Sequence, residues 1–320
     1  MKNKEMSLSE AISKFVKNGD SISLGGFTIN RNPMAATYEI IRQEIEGLHM
    51  YMHSGAQHFD LLVGSGVVDS AEIAYGANAR YAPTCVRFRK AVENGDLKVE
   101  DYSNFHMTMR FKGGSMGVPF LPVKSGMETD IEKTWGFDKD FRKKNKHLTE
   151  KKLTKIENPF RCDEGEEVIL LPSINPDVSI IHAQKADLEG NVRLEGLQFV
   201  DVEQMKSADK VIVTCESLYQ NDELRLESEH NALPSFLVDA VIRVPFGAHP
   251  TACFNFYDYD SEHLKKYLKI AQDEEKFEKY IEEYVLNVDD FNEYLEKIGT
   301  SRIIDLLADP GLGYSQGYER

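Results

Sequence analysis

Ser21-Ile22-Ser23-Leu24-Gly25-Gly26-Phe27-Thr28 is a short apolar strand that runs straight into two glycines, an aromatic ring and a hydroxyl. Paired glycines after a strand let backbone N–H groups approach a ligand that a Cβ would hold away. Such a turn can cradle a phosphate, a carboxylate or the oxyanion of an acyl transfer. Upstream, Ser7-Leu8-Ser9-Glu10 caps a helix whose Ala11, Ile12, Phe15 and Val16 share one face, and Asn18-Gly19-Asp20 ends it. Downstream, Asn32-Pro33-Met34 opens a second helix through Tyr38, Ile41 and Ile45, with Pro33 suited to its first turn. Strand, glycine turn and helix in that order place the turn at the carboxyl end of a strand, where open parallel sheets bind ligands.

Outward from this unit, apolar runs alternate with helical patterns. Leu48–His53, Glu72–Tyr75, Val168–Leu171, Val178–Ala183, Lys210–Cys215 and Ala240–Val244 read as strands. Their spacing predicts βαβ units, hence an α/β fold with a mainly parallel sheet flanked by helices. One domain is expected over residues 1–320. It includes a charged excursion at about 127–167, solvated or used as a subunit-contact arm, and a helical C-terminal region at about 261–307. The tail Ser315–Arg320 is expected to fray.

The 320 residues carry 38 Lys and Arg against 53 Asp and Glu, a formal net charge of −15. That balance argues against nonspecific binding to nucleic acid or an anionic membrane, because both need clustered cations. Met1–Ser9 lacks the apolar core of a signal peptide, and no apolar run reaches the ~20 residues of a membrane span. Four scattered cysteines with no C-x-x-C pair fit reduced thiols in a cytoplasmic protein.

Other clusters are ambiguous taken singly. In Arg110-Phe111-Lys112-Gly113-Gly114-Ser115-Met116-Gly117-Val118-Pro119 the glycines are expected to end a helix and expose N–H groups, or to form a flexible turn. Asp187-x-x-Gly190-Asn191 is hairpin chemistry. His182, in an apolar strand, reads as a satisfied core histidine. His49, His53 and His58 lack the spacing of a metal site, and His249 sits in a turn that it is expected to stabilise. Phosphate-loop, dinucleotide and serine-elbow patterns are missing, and Gly64-Ser65-Gly66 reads as a surface loop.

Together the clusters resemble family I CoA-transferases on the α-subunit side. The early glycine turn matches Gly25 to Thr28, a G-G-x-x-G-[VI]-P loop matches Gly113 to Pro119, and an A-D-x-x-G-N turn matches Ala186 to Asn191. A longer likeness, to glutaconate-type A subunits, runs through Arg31-x-Pro33-x-Ala35-Ala36, Arg87-Phe88-Arg89-Lys90, Asn158-Pro159-Phe160, Gly247-Ala248-His249-Pro250 and Pro310-Gly311-Leu312-Gly313-Tyr314. The stretches around Gln57-His58-Phe59 and Ala79–Pro83 depart from that pattern, in loops expected to set acid specificity.

The resemblance implies the CoA-transferase fold with additional helical segments. It also implies a ping-pong exchange of CoA between an acyl-CoA and a small carboxylic acid, with CoA thioesters as substrates and no resident cofactor or metal. The nucleophilic glutamate belongs to a β-type partner in a hetero-oligomer such as (αβ)n, so no catalytic residue is expected here. Glu93-Asn94-Gly95, which imitates a nucleophile motif, reads as a helix-ending turn. Gly25, Gly26, Phe27, Thr28, Gly113 and Gly114 are expected to shape the pocket or its oxyanion site. Arg31 is expected to clamp a distal carboxylate or to form a helix-entry salt bridge. Ser54, Gly55 and Asn78 are expected to face the pocket from neighbouring strand ends. The alternatives are a subunit of a CoA-dependent hydrolase or ring-opening enzyme, and a non-catalytic structural subunit.

Overall fold

A computed structural model describes residues 3–162 and 165–316. The end of the tail expected to fray lies outside the described residues. Eleven strands are described: β1 (Ser21–Leu24), β2 (Leu48–Met52), β3 (Val68–Ile73), β4 (Lys98–Asp101), β5 (Phe120–Val123), β6 (Thr154–Glu157), β7 (Glu167–Pro172), β8 (Val178–Asp187), β9 (Val192–Arg193), β10 (Lys210–Tyr219) and β11 (Ala240–Arg243). The main sheet runs β11-β10-β8-β1-β2-β3-β4, all parallel, and β9 adds an antiparallel pairing to β8. The expected α/β architecture is present. The run near 168 is a correction, because β7 is the centre of a separate antiparallel sheet, β5-β7-β6.

Chain order places the site. From β1 the chain winds through β2 and β3 to β4, and it later resumes on the other side of β1 with β8, β10 and β11. The winding therefore reverses between β1 and β8. In open α/β sheets a crevice forms outside the carboxyl ends at such a switch point.

The sheet has two unlike faces because side chains alternate along each strand. Ile22, Leu24, Met50, Met52, Ala71, Ile73, Ile180 and Ile212 form the apolar face. It is covered by helices α1 (Leu8–Phe15), α2 (Met34–Arg42) and α3 (Gln57–Gly64), and by the C-terminal helices from Ser261 onward. The registers Ser21↔His49, Tyr51↔Glu72 and Glu72↔Glu100 put polar residues on the other face between β1 and β4. Burying that face requires partners for its charges. Arg110, on α5 (Asn104–Ser115), which follows α4 (Val86–Asn94), pairs with Glu72 at 2.5 Å, and Arg142 pairs with Glu100. Lys152, wholly buried, donates to the carbonyls of Ile131 and Thr134. The charged excursion is thus docked on the main sheet through Phe137, Arg142 and Lys152 and on the small sheet through Leu153, while Lys143, Lys144 and Lys146 stay exposed.

Candidate functional site at the topological switch point

The turn after β1 sits at the switch point, packed more tightly than its glycines suggest. A Cβ on Gly25 would lie 2.6 Å from Ile181 Cγ2. Gly26 has φ +89°, and a Cβ there would meet three oxygen atoms of residues 30–32 between 2.6 and 2.8 Å. The amides of this turn are occupied. Gly25 N–H donates to Ile180 O, Gly26 N–H to Asp201 Oδ1 at 3.0 Å, and Phe27 N–H to Asn30 O. The amide donors of Gly25, Gly26 and Phe27 are thus engaged inside the chain. Thr28, at φ +51° and buried, completes the bend, and its carbonyl accepts from Asn32.

Arg31 is sealed inside the chain. It is 2% exposed, and its guanidinium faces Asp201 at 2.9 Å. It also donates to the carbonyls of Leu197 at 2.7 Å and His182 at 3.3 Å. Burial raises the Asp201 carboxyl while Arg31 pulls it down. The same aspartate accepts from Gly26, so it joins the β1 turn to the helix Asp201–Ser207. Arg31 is the keystone of this joint, as the salt-bridge reading expects.

Gly113 and Gly114 lie inside the last turn of α5, not in a loop. A Cβ on Gly113 would collide with Ser173 Oγ, and one on Gly114 with Ile174 O and Ser207 Cβ. They are packing glycines that seat α5 against residues 173–174 and against the far end of the Asp201 helix. Through Ser207 they also touch the helix that begins at Asp201.

The strand ends beside the turn carry the clearest sign of a ligand. Phe27 stacks on Phe199, with centroids 4.4 Å apart, and lies 6.3 Å from Tyr75 and 6.1 Å from His53. Behind this aromatic mouth, Gly55 N–H bonds Tyr75 O, and Ala77 N–H bonds Gly55 O at 2.9 Å. These bonds bring the segment after β2 against the segment after β3. There Ser54 Oγ, His53 Nδ1, Gln57 Oε1, both ring nitrogens of His58 and Asn78 Oδ1 are buried with no hydrogen-bond partner among the described residues. An orphaned buried polar group costs about 1–3 kcal/mol, so such a concentration calls for an explanation. Burial lowers His53 to about 4 and His58 to about 3, which leaves both rings neutral near pH 7. The wall is polar and uncharged.

Beneath the crevice, Glu216 accepts from His182 Nε2 at 2.6 Å, Tyr257 hydroxyl at 2.6 Å and Phe246 N–H at 2.8 Å. His182 Nδ1 meets Thr214 Oγ1 at 2.9 Å. Cys253 lies close enough to make a nominal metal triad with His182 and Glu216. Carboxylate and imidazole alike are already engaged, however, and burial pushes the Cys253 thiol well up. This is a closed structural node, as expected of His182. His249 likewise holds its turn, through Tyr294 and Asp260.

Sequence reasoning did not find Asp201, Tyr75 or Phe199; it weighed His53 as a metal ligand alone, and His58 both so and as part of a loop expected to set acid specificity. Asp201 meets Gly26 from 175 residues away, with no local motif. The histidines could have been flagged, being two titratable residues in a segment otherwise ready to close into a helix. Glu93 is exposed on the last turn of the helix Val86–Asn94, which Gly95 ends at φ +83°. That helix returns the chain to the amino end of β4, so Glu93 lies at the opposite end of the sheet from the site.

The switch point of this α/β sheet thus carries a closely packed glycine turn beside a cluster of buried polar groups. The Coenzyme A transferase family model matches residues 5–243, and the chain belongs to that family. It is 40% identical to the A subunit of glutaconate CoA-transferase from Acidaminococcus fermentans over 97% of both chains. The crystal structure of that organism's enzyme superposes with a TM-score of 0.95, covering 98% of each chain. The A subunit of 3-oxoadipate CoA-transferase from Pseudomonas knackmussii is 32% identical over 93% of this chain and 99% of its own. The chain is an A-type CoA-transferase subunit, and relatives named as A subunits imply a second kind of subunit. Among the described residues, no helix is long and apolar enough to cross a membrane.

Proposed function

We propose that this chain is the α half of a hetero-oligomeric CoA-transferase, (αβ)n, that moves CoA between an acyl-CoA such as acetyl-CoA and a small carboxylic acid. The acid is glutaconate or a related dicarboxylic or 2-hydroxy acid. The observation that carries this reading is the likeness to the Acidaminococcus protein, nearly end to end in sequence and in fold.

In this reading a carboxylate oxygen of the partner's glutamate attacks the thioester carbonyl. The C–S bond breaks, leaving an acyl-glutamyl anhydride and CoA thiolate. The thiolate then attacks the glutamyl carbonyl, forming a glutamyl-CoA thioester and releasing the first acid as its carboxylate. The incoming acid runs the sequence in reverse. Splitting one exchange into such steps is the advantage of covalent catalysis.

This chain contributes the wall. Ser54 and Asn78 present polar groups to the acid beside the backbone of Gly55, which is engaged with Tyr75 and Ala77, and the Phe27–Phe199 stack with Tyr75 excludes water from the activated acyl group. Gly25, Gly26 and Thr28 set how closely the β1 turn approaches the partner. Arg31 supports this wall from behind, through Asp201.

The test is co-expression with a β-type partner, followed by assay against a panel of acids and acyl-CoAs. Acid-dependent transfer without net release of CoA is expected. Accumulation of free CoA would place the chain in a hydrolase instead. A covalent CoA adduct trapped on this chain would overturn the assignment of the nucleophile to the partner.

A further inference from the structure

Two opposite charge patterns meet at the amino ends of the main sheet. A groove beside β2 and β3 carries Glu44, Glu46, Glu274, Glu278 and Glu282, with no cation among its lining residues, and repels anions. Beside it runs an arm, residues 143–149, on which Lys143, Lys144 and Lys146 are exposed and form no ion pair among the described residues. The arm is fixed to the strands. Asn145 Nδ2 donates to Ser70 Oγ near the start of β3, and His147 Nε2 meets Gly19 O just ahead of β1 at 2.9 Å.

Between arm and sheet lies a cavity of ≈ 290 Å³, at the opposite end of β1 from the switch-point crevice. Three segments converge on it: Lys146, His147 and Thr149 from the arm, Arg110 from α5, and Asn175 and Asp177 from the link between β7 and β8. Arg110 is 2% exposed. Its Nε donates to Pro172 O at 3.0 Å and its Nη1 faces Glu72, but its Nη2 donates to no described residue. The backbone N–H groups of Lys146, Thr149 and Asn175 also have no acceptor among the described residues. Asp177 is the one carboxylate in the lining, and it is engaged elsewhere. Ser21 N–H and hydroxyl donate to it at 2.7 and 2.9 Å, and His147 Nδ1 lies 3.6 Å away. The cavity thus collects donors and a cation that want an acceptor. A tetrahedral oxyanion accepts from several directions at once, which suits donors arriving from three segments. The volume, roughly ten waters' share of the liquid, leaves room for a small organic body behind the phosphate.

We propose that this cavity binds phosphate or a small phosphate ester, held by Arg110 from α5 and by Lys146 from the arm. The site is separate from the crevice, and the proposal does not depend on which acid is the substrate.

Calorimetric titration of the enzyme purified with its partner tests it, with inorganic phosphate and glycerol phosphate as probes at constant ionic strength. One saturable site per copy of this chain is expected. Tighter binding of glycerol phosphate assigns the ester, and equal or weaker binding assigns free phosphate; either supports the site. Lys146→Glu should weaken binding tenfold or more, and Thr149→Trp should do the same by filling the cavity without a change of charge. Lys143→Glu, on the same arm but outside the lining, should leave the affinity within about twofold. Absence of saturable binding in wild type, affinity unchanged in both lining variants, or equal weakening by Lys143→Glu would each overturn the proposal. Unchanged urea midpoints without phosphate show that the variants are folded.

Discussion

At the carboxyl ends of β1, β2 and β3 polar groups are buried, uncharged and without hydrogen-bond partners among the described residues, and the nearby pair of Arg31 with Asp201 is sealed. At the amino ends of the same strands the charges are exposed and, apart from Glu274 with Arg87, form no ion pair among the described residues, glutamates along the groove and lysines on the arm. The difference is one of solvent. Buried neutral groups keep their hydrogen-bonding capacity for a ligand that excludes water, whereas exposed charges act at longer range and suit a charged ligand. Strand direction separates the two kinds of recognition by the full height of the sheet.

The strongest challenge to that contrast is removal of Arg31. If the pair is structural, Arg31→Ala strands the Asp201 carboxylate in an apolar setting and deprives two carbonyls of a donor. Breaking a buried ion pair in this way costs about 3–5 kcal/mol. Urea midpoints should fall sharply for Arg31→Ala and recover in part when Asp201→Leu is added, because the double variant leaves no unpaired charge. An unchanged midpoint with a raised acid KM would return Arg31 to the substrate and charge the carboxyl end after all.

How this end was legible depends on range. The β1 strand and its turn could be read because a strand, two glycines and a capped helix are local signals. Gly113 and Gly114 misled because a glycine pair signals a turn locally, whereas here Ser173, Ile174 and Ser207 press on the helix from outside. β5 and β6 escaped notice as edge strands, one containing Pro122 and the other Lys155 and Glu157. The docking of the excursion was invisible, since buried Lys152 and Arg142 look like surface residues until Glu100 is placed beneath them. For the site, Ser54, Gly55 and Asn78 could be placed at strand ends, but their lack of partners is a property of packing.

A smaller effect is expected from pH. His53 and His58 are pushed below their ordinary value of 6.5, to about 4 and about 3, so the folded chain refuses protons that the unfolded chain accepts. Stability should therefore fall as pH drops from 6.5 toward 4, by an amount on the order of a few kcal/mol. His263, also lowered to about 3, adds to the slope, while Asp60, raised to about 6, opposes it by gaining a proton in the folded state first. Denaturation at several pH values should show a shallower slope for His58→Leu, with unchanged or higher stability at pH 7, because an orphaned polar ring is replaced by an apolar side chain. An unaltered slope would mean that His58 has partners in solution and that this wall is not held open for a ligand.

The smallest effect should come from Glu93→Gln, and its smallness is informative. Glu93 has the neighbours of a nucleophile in sequence, Asn94 and Gly95, but it stands exposed on the last turn of its helix, 3.9 Å from Arg89. An exposed pair of this kind contributes a few tenths of a kcal/mol, so stability should hardly move. Transfer in the assembled enzyme should stay within about twofold of wild type, less than ~0.5 kcal/mol of barrier. Loss of transfer by orders of magnitude would put covalent chemistry at the amino end and erase the division between the two ends. Retained transfer leaves a reactive carboxylate to be supplied from outside this chain, opposite the uncharged wall that this chain presents.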